Sequence, residues 1–287
     1  MLLGASLFWT LEAETSHGPG ITVTGGKGET ALNILCIGDV VGSIGCQFLR
    51  NHLPALKRTK GIDLVIANGE NSADGNGITP ASAEHLFDSG VDVITTGNHC
   101  FRRRESYDLY DSCETLLRPA NFPSSTPGHG MCVADLGRVR VAVINLMGTV
   151  YLESLRCPFE TLDELLKTPD LPKICIVDFH AEATGEKRAL GFFADGRISA
   201  LFGTHTHVQT ADETILPHGT GYLTDAGMTG VIDSVLGVKP EIIIGKLRTK
   251  MPARFDLAKG PCKMDCVLFA VDERTGLCTG VERLSLS

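Results

Sequence analysis

A chain of 287 residues, 43% hydrophobic and 21% charged, is long enough to bury a core without covalent staples. Its composition excludes disorder, collagen and coiled coil as descriptions of the whole, and no apolar stretch reaches the roughly 18–20 residues that span a bilayer. A formal charge of −8 argues against a basic face that coats nucleic acid or anionic membrane, so no membrane partner and no extended nucleic-acid binding are expected.

Met1–Leu11 is apolar but lacks the basic start of a secretory signal, and His17–Thr30 is rich in Gly, Thr and Ser without periodicity. Residues 1–31 therefore read as a flexible extension, or as the product of a start site set too far upstream, and 32–287 as one domain. From Leu32 short apolar runs alternate with helical periodicity, which predicts an α/β fold. The first run, Leu32–Ile37, ends in Gly38-Asp39; a helix follows with Leu49, Leu53 and Leu56 on one face and a kink expected at Pro54. The second, Ile62–Ala67, ends in Asn68-Gly69-Glu70-Asn71. Thr79 and Pro80 then mark a helix start, and Gly90 its stop. The third, Val91–Thr96, ends in Gly97-Asn98-His99. Thr161-x-x-Glu164 reads as a capping box that opens a further helix. Two later runs, Ile174–Phe179 and Ile198–Gly203, end at His180 and at Thr204-His205-Thr206-His207, and a hairpin of Val267–Val271 and Leu277–Leu284 closes the chain.

The potential ligands fall just beyond the apolar runs. In a largely parallel sheet those ends share one edge, where α/β proteins place their sites, so Asp39, Glu70, Asn71, Asn98, His99, His180, His205 and His207 are expected to converge. An extended His205-Thr206-His207 would aim both imidazoles to one side. Carboxylate, amide and imidazole donors without thiolate suit Mn²⁺, Fe or Zn²⁺ in a hydrolytic site, and this many ligands suit two ions sharing a bridging carboxylate. Two dications against two carboxylates leave a formal surplus of about +2, enough to attract a phosphate to an acidic chain. The ten Cys are scattered through apolar runs and helices, which reads as reduced thiols in a cytoplasmic protein. No second Cys/His pair follows Cys262-x₃-Cys266 to complete a zinc site. Arg102-Arg103-Arg104 reads as a solvated turn in preference to a phosphate contact near His99, and Asp225 as a carboxylate orienting a ligand histidine. No residue is assigned to substrate contact.

The strings Asn-Ile-Leu-Cys-Ile-Gly-Asp-Val-Val-Gly (33–42), Ala-Asn-Gly-Glu-Asn (67–71), Thr-Thr-Gly-Asn-His (95–99), Val-Asp-Phe-His-Ala-Glu-Ala-Thr (177–184), Gly-Thr-His-Thr-His-Val-Gln-Thr-Ala-Asp (203–212) and Thr-Asp-Ala-Gly-Met-Thr-Gly (224–230) resemble the calcineurin-like metallophosphoesterases. Within that superfamily they are similar to the YmdB-like bacterial phosphodiesterases of 2′,3′-cyclic nucleotides. The resemblance implies a four-layer α/β/β/α sandwich with two mixed sheets. It implies one metal held by Asp39, Glu70, Asn71 and His207, and a second held by Glu70, Asn98, His180 and His205. His99 would protonate the leaving oxygen. Most of the superfamily opens with Asp-x-His; here position 41 is Val, and the implied replacement ligand is Asn71. Cys100-Phe101-Arg102 departs from the aromatic-acidic continuation of the family's pattern, which affects the substrate-facing loop rather than the metals. The expected reaction is metal-dependent hydrolysis of a small phosphodiester by a bridging hydroxide, with Fe or Mn, or Zn, as the ions and a homo-oligomer as one form of the protein. Two alternatives use the same site: a phosphomonoesterase or nucleotidase, and a nucleotide-sensing regulator without useful turnover.

Overall fold

The structure, a computed structural model, describes residues 31–287. The expected extension, apart from Ala31, lies outside the described residues. In chain order the first half runs β1 (Ala31–Ile37), β2 (Asp39–Val40), α1 (Gly42–Lys60), β3 (Leu64–Asn68), α2 (Pro80–Asp88), β4 (Val93–Thr95), α3 (Tyr107–Ser112), β5 (Met131–Asp135) and β6 (Arg140–Met147). The second half runs α4 (Pro158–Leu165), β7 (Ile174–His180), α5 (Thr184–Ala194), β8 (Ala200–Thr204), β9 (Thr214–Ile215), β10 (Gly221–Leu223), β11 (Met228–Val231), α6 (Pro240–Thr249), β12 (Cys262–Asp272) and β13 (Cys278–Leu286).

The strands form two mixed sheets. The first has seven strands in the order β2-β11-β12-β1-β3-β4, with β13 paired to β12; the second has six, β5-β6-β7-β8-β10-β9. β1, β3 and β4 run parallel, as do β6, β7, β8 and β10, while β12 pairs antiparallel with β1. Strands buried on both faces need apolar residues at every position, which is why these segments are continuous apolar runs. In β1 the alternation splits the residues between two cores. Leu32, Ile34 and Cys36 pack against Val141, Val143, Ile176 and Phe202 of the other sheet. Leu35 and Ile37 turn outward to Leu49, Leu53 and Leu56 of α1 and Leu86 of α2. On the far side, Ile144, Val177 and Leu201 are covered by Leu162 of α4 and Leu190 of α5. The result is the expected α/β/β/α sandwich.

Local signals were followed where nothing stronger opposed them. Thr79 accepts from the Ser82 backbone N–H as N-cap of α2, with Pro80 in the first turn. The capping box at Thr161 is overruled: α4 starts at Pro158, whose fixed φ suits a first helical position. Thr161 is thus buried inside the helix with its hydroxyl unpartnered, and Glu164 pairs with Arg156 instead. α1 continues past Pro54 to Lys60, where Gly61 caps it in the left-handed region. The closing hairpin turns through Asp272–Gly276, with Asp272 Oδ1 accepting from the N–H groups of Arg274 and Thr275. All ten cysteines are free, and Cys262 and Cys266 belong to separate apolar clusters. Among the described residues no helix is long and apolar enough to cross a membrane.

Candidate metal centre

Two parallel strand sets facing each other bring their carboxyl ends to one place. Asp39 follows β1, Glu70 and Asn71 follow β3, and Asn98 and His99 follow β4, all in the first sheet. His180 ends β7, while His205 and His207 follow β8, in the second. Asp39, Glu70, Asn71 and His180 are buried.

The side chains form two adjoining sets. In one, His180 Nε2 lies 3.0 Å from Glu70 Oε1, 2.9 Å from Asn98 Oδ1 and 3.1 Å from His205 Nδ1. Ligand atoms of Glu70, His180 and His205 all lie within 4.8 Å of one another. In the other, His207 Nε2 is 3.5 Å from Asp39 Oδ1, and the Asn71 amide nitrogen is 3.2 Å from each of them. His99 joins the two. Its backbone N–H donates to Glu70 Oε2 over 2.9 Å, and its ring Nδ1 is 2.8 Å from Asn71 Oδ1. All eight residues expected to converge are therefore present in one cluster.

Close approach explains one glycine. A Cβ at Gly97 would overlap the His180 ring, so the turn carrying Asn98 and His99 can reach that imidazole only without a side chain there.

The His205-Thr206-His207 segment corrects an expectation. It is not extended: φ is +100° at His205 and +62° at His207, both in the left-handed region. The two rings consequently diverge, one to each set. Three hydrogen bonds, the first of them fully buried, impose this path. Lys187 Nζ donates to Thr204 O (2.8 Å), the His205 N–H donates to Asp39 Oδ2 (2.9 Å), and the Thr206 N–H donates to Asp225 Oδ2 (3.2 Å). Such conformations cost about 1–3 kcal/mol each and persist only where surroundings over-determine them.

The electrostatics follow from burial opposed by pairing. Burial raises the Asp39 and Glu70 carboxyls, but the positive charge of His207 on the former and His180 on the latter outweighs it, and both end below the ordinary carboxylate range. Burial lowers His180, yet the Glu70 charge and hydrogen bond carry it up to about 9; Asp39 does the same, less strongly, to His207. Burial and the charge of His180 bring His205 down to about 4. Burial also lowers His99, with Glu70 opposing.

Donor chemistry tests whether cations fit. Asp39 and Glu70 are buried carboxylates whose ion-pair partners among the described residues are imidazoles, with no Lys or Arg pairing with them there. Buried carboxylates without a fixed cation are the environment that a metal ion satisfies. Glu70, His180 and His205 form a possible metal site, and the oxygen and nitrogen donors around them extend it.

A profile described as YmdB-like protein matches residues 35–284. The chain belongs to the YmdB-like family. It is 44% identical over 261 residues to the 2′,3′-cyclic-nucleotide 2′-phosphodiesterase of Bacillus subtilis strain 168, covering 89% of this chain and 97% of that protein. A crystal structure of a hypothetical protein from Thermus thermophilus matches with a TM-score of 0.84 at 37% identity, covering 89% of this chain and 99% of that one. A novel phosphatase of Mycoplasma pneumoniae matches with a TM-score of 0.85 at 34% identity, covering 89% and 93%.

In this YmdB-like chain, four supporting residues, Thr204, Asp178, Glu182 and Lys187, were not singled out by sequence reasoning. His180 Nδ1 donates to Thr204 Oγ1 (2.9 Å), which donates to Asp178 Oδ1 (2.7 Å); this directs His180 Nε2 into the cluster. Asp178 also accepts from Thr95, and burial pushes its carboxyl up to about 7. Glu182 Oε2 lies 3.0 Å from His205 Nε2, so the Nδ1 of that ring faces the cluster. The signal was periodicity: positions 178, 180 and 182 alternate along one strand face and its continuation. Lys187, from α5, had no local signal. Asp225, expected to orient a histidine ring, instead binds Lys187 and the backbone between the two histidines.

Proposed function

We propose that this protein is a phosphodiesterase that hydrolyses 2′,3′-cyclic nucleotides with the help of two divalent cations. The observation that carries the reading is the adjoining pair of ligand sets with His99 between them. Asp39, Asn71 and His207 would hold one cation, and Asn98, His180 and His205 the other, with Glu70 shared. Asn71 would enter through its amide oxygen, the end now turned to His99. Bound cations supply Lewis acidity, neutralising phosphoryl oxygens and making a water acidic enough to attack. The residues do the rest. Glu70 and Asp39 fix the position of the cluster through the backbone N–H groups of His99 and His205. As an imidazolium, His99 would keep its Nδ1–H on the Asn71 amide oxygen and give its Nε2 proton to the sugar oxygen as the ring phosphodiester opens, ending as the neutral ring. Manganese and iron both suit these oxygen and nitrogen donors. The Bacillus subtilis relative supports the substrate class.

The test is hydrolysis of 2′,3′-cyclic AMP by metal-stripped protein with and without Mn²⁺. Turnover restored by the metal is expected; absence of turnover in protein that has taken up two Mn²⁺ per chain would reject the substrate.

Glu182 makes a second check on the ligand assignment. A carboxylate on the far nitrogen of a ligating imidazole orients the ring and raises its basicity. Glu182 is 50% exposed, so its replacement leaves the core intact. Glu182→Ala is expected to weaken metal affinity about 10–100-fold in a competition with a fluorescent chelator. Unchanged affinity would remove His205 from the ligand set.

A further inference from the structure

Beside the ligand cluster, on the side of His99, opens a cleft of about 630 Å³, within the range of roughly 300–1,000 Å³ usual for small-molecule sites. Four stretches of chain build it: the turn at Asp74–Asn76, the loop from His99 through Arg102 and Arg103, Val238 just before α6, and the irregular chain that includes Arg254 and Phe255, between α6 and β12. Arg103 is structural. Its guanidinium donates to the carbonyls of Asn76 (2.9 Å) and Ala73 (3.1 Å) and so ties the turn to the loop. Among the described residues Arg102 and Arg254 are not so engaged; they line the cleft, and the Arg102 charge reaches His99. The sequence reading of these arginines as a solvated turn therefore fails for Arg103, whereas Arg102 is exposed in a bend, as that reading has it.

Phe255 lines the same wall and is 48% exposed, with the Lys246 ammonium 4.7 Å from its ring centre. The segment that carries it opposes the charge of the whole chain. Between Lys239 and Lys263 seven Lys and Arg stand against two acids, Glu241 and Asp256, in a protein of formal charge −8. An open aromatic ring among cations is the arrangement on which nucleobases stack while their phosphates are attracted electrostatically. The cleft shares His99 with the cluster, so a phosphate at the cluster would leave its nucleoside at the mouth of the cleft.

We propose that this cleft is the nucleoside subsite, with the base stacked on Phe255 and the anionic side of the substrate against Arg102 and Arg254. The proposal rests on the phosphodiesterase reading above. It assigns Phe255 to substrate affinity and leaves the reacting atoms to the cluster.

The experiment compares wild type and Phe255→Ala, both loaded with Mn²⁺, on 2′,3′-cyclic AMP and on glycerol 1,2-cyclic phosphate. The second compound has the same five-membered cyclic phosphodiester and no base. The variant is expected to raise KM for the nucleotide about 5- to 100-fold, the equivalent of one stacked base, and to leave both constants for the glycerol compound within about two-fold. Phe255→Trp should restore the nucleotide KM. Equal losses on both substrates, or no loss on either, would overturn the subsite. If wild type hydrolyses neither compound, the phosphodiesterase reading fails, and calorimetric titration of 3′-AMP into both metal-free proteins decides the subsite by itself. Weaker binding by the variant supports it, and equal binding overturns it.

Discussion

Lys187→Met is expected to lower folding stability by about 3–5 kcal/mol, because it leaves a buried carboxylate without its cation. Lys187 is 0% exposed, and its ammonium lies 2.6 Å from Asp225 Oδ2. Met keeps the volume of the stem, so the loss reports charge and hydrogen bonding rather than a cavity. After the substitution Asp225 would retain N–H donors from Thr206 and Gly227, which temper the penalty without replacing the positive charge. Urea unfolding of metal-free protein measures the effect, and a loss below about 1 kcal/mol would show that the pair contributes little. A second consequence is local. Lys187 also holds the Thr204 carbonyl, at the head of the segment where His205 and His207 take positive φ. With that tie cut, the strained pair can relax toward ordinary φ, and metal affinity should fall even at temperatures where the variant is folded. Lys187→Met with Asp225→Asn should recover part of the stability, since no buried charge is then left unpaired.

The same segment shows where sequence reading succeeds and where it stops. Apolar runs closed by Gly-Asp, Gly-Glu-Asn or Gly-Asn-His place a polar side chain at the end of a buried strand, and parallel pairing puts such ends on one edge. The cluster was therefore legible, down to which residues share it. What decides the direction of each imidazole was not. The path of His205 and His207 is imposed by Asp39, by Lys187 from α5 and by Asp225 from beyond β10, all through hydrogen bonds between separate segments. Periodicity carries no information about such bonds, and an extended segment was the default in their absence. The Thr161 motif failed for a related reason. Its spacing matched a capping box, but Pro158 had already set the start of α4, and burial of that turn left the hydroxyl inside. The cleft beside His99 is the extreme case: its walls come from four separate stretches of the chain, and nothing in the local pattern of Arg254-Phe255 marks it.

His99→Ala is expected to lower turnover of the metal-loaded protein on 2′,3′-cyclic AMP by about 10²–10⁴-fold, the usual contribution of a positioned general acid. His99 follows Asn98, whose amide oxygen is 2.9 Å from His180 Nε2, so its ring is carried at the edge of the cluster by the same turn. Its backbone N–H, which Ala retains, already satisfies Glu70 Oε2, so removal of the imidazole need not disturb the shared carboxylate. Asn71 does lose the ring as a partner for its amide oxygen, and that oxygen is the atom assigned to a cation. Metal content and turnover must therefore be measured on the same preparation. Full metal content with the rate lost identifies His99 as the proton donor. Loss of metal together with rate would make it a support for Asn71. A leaving-group test separates the two further: a diester that expels p-nitrophenolate needs little protonation, so the variant should approach wild-type rates on it while remaining slow on the nucleotide, whose sugar alkoxide is a far stronger base. Equal losses on both diesters would place the role of His99 in holding the site rather than in moving the proton.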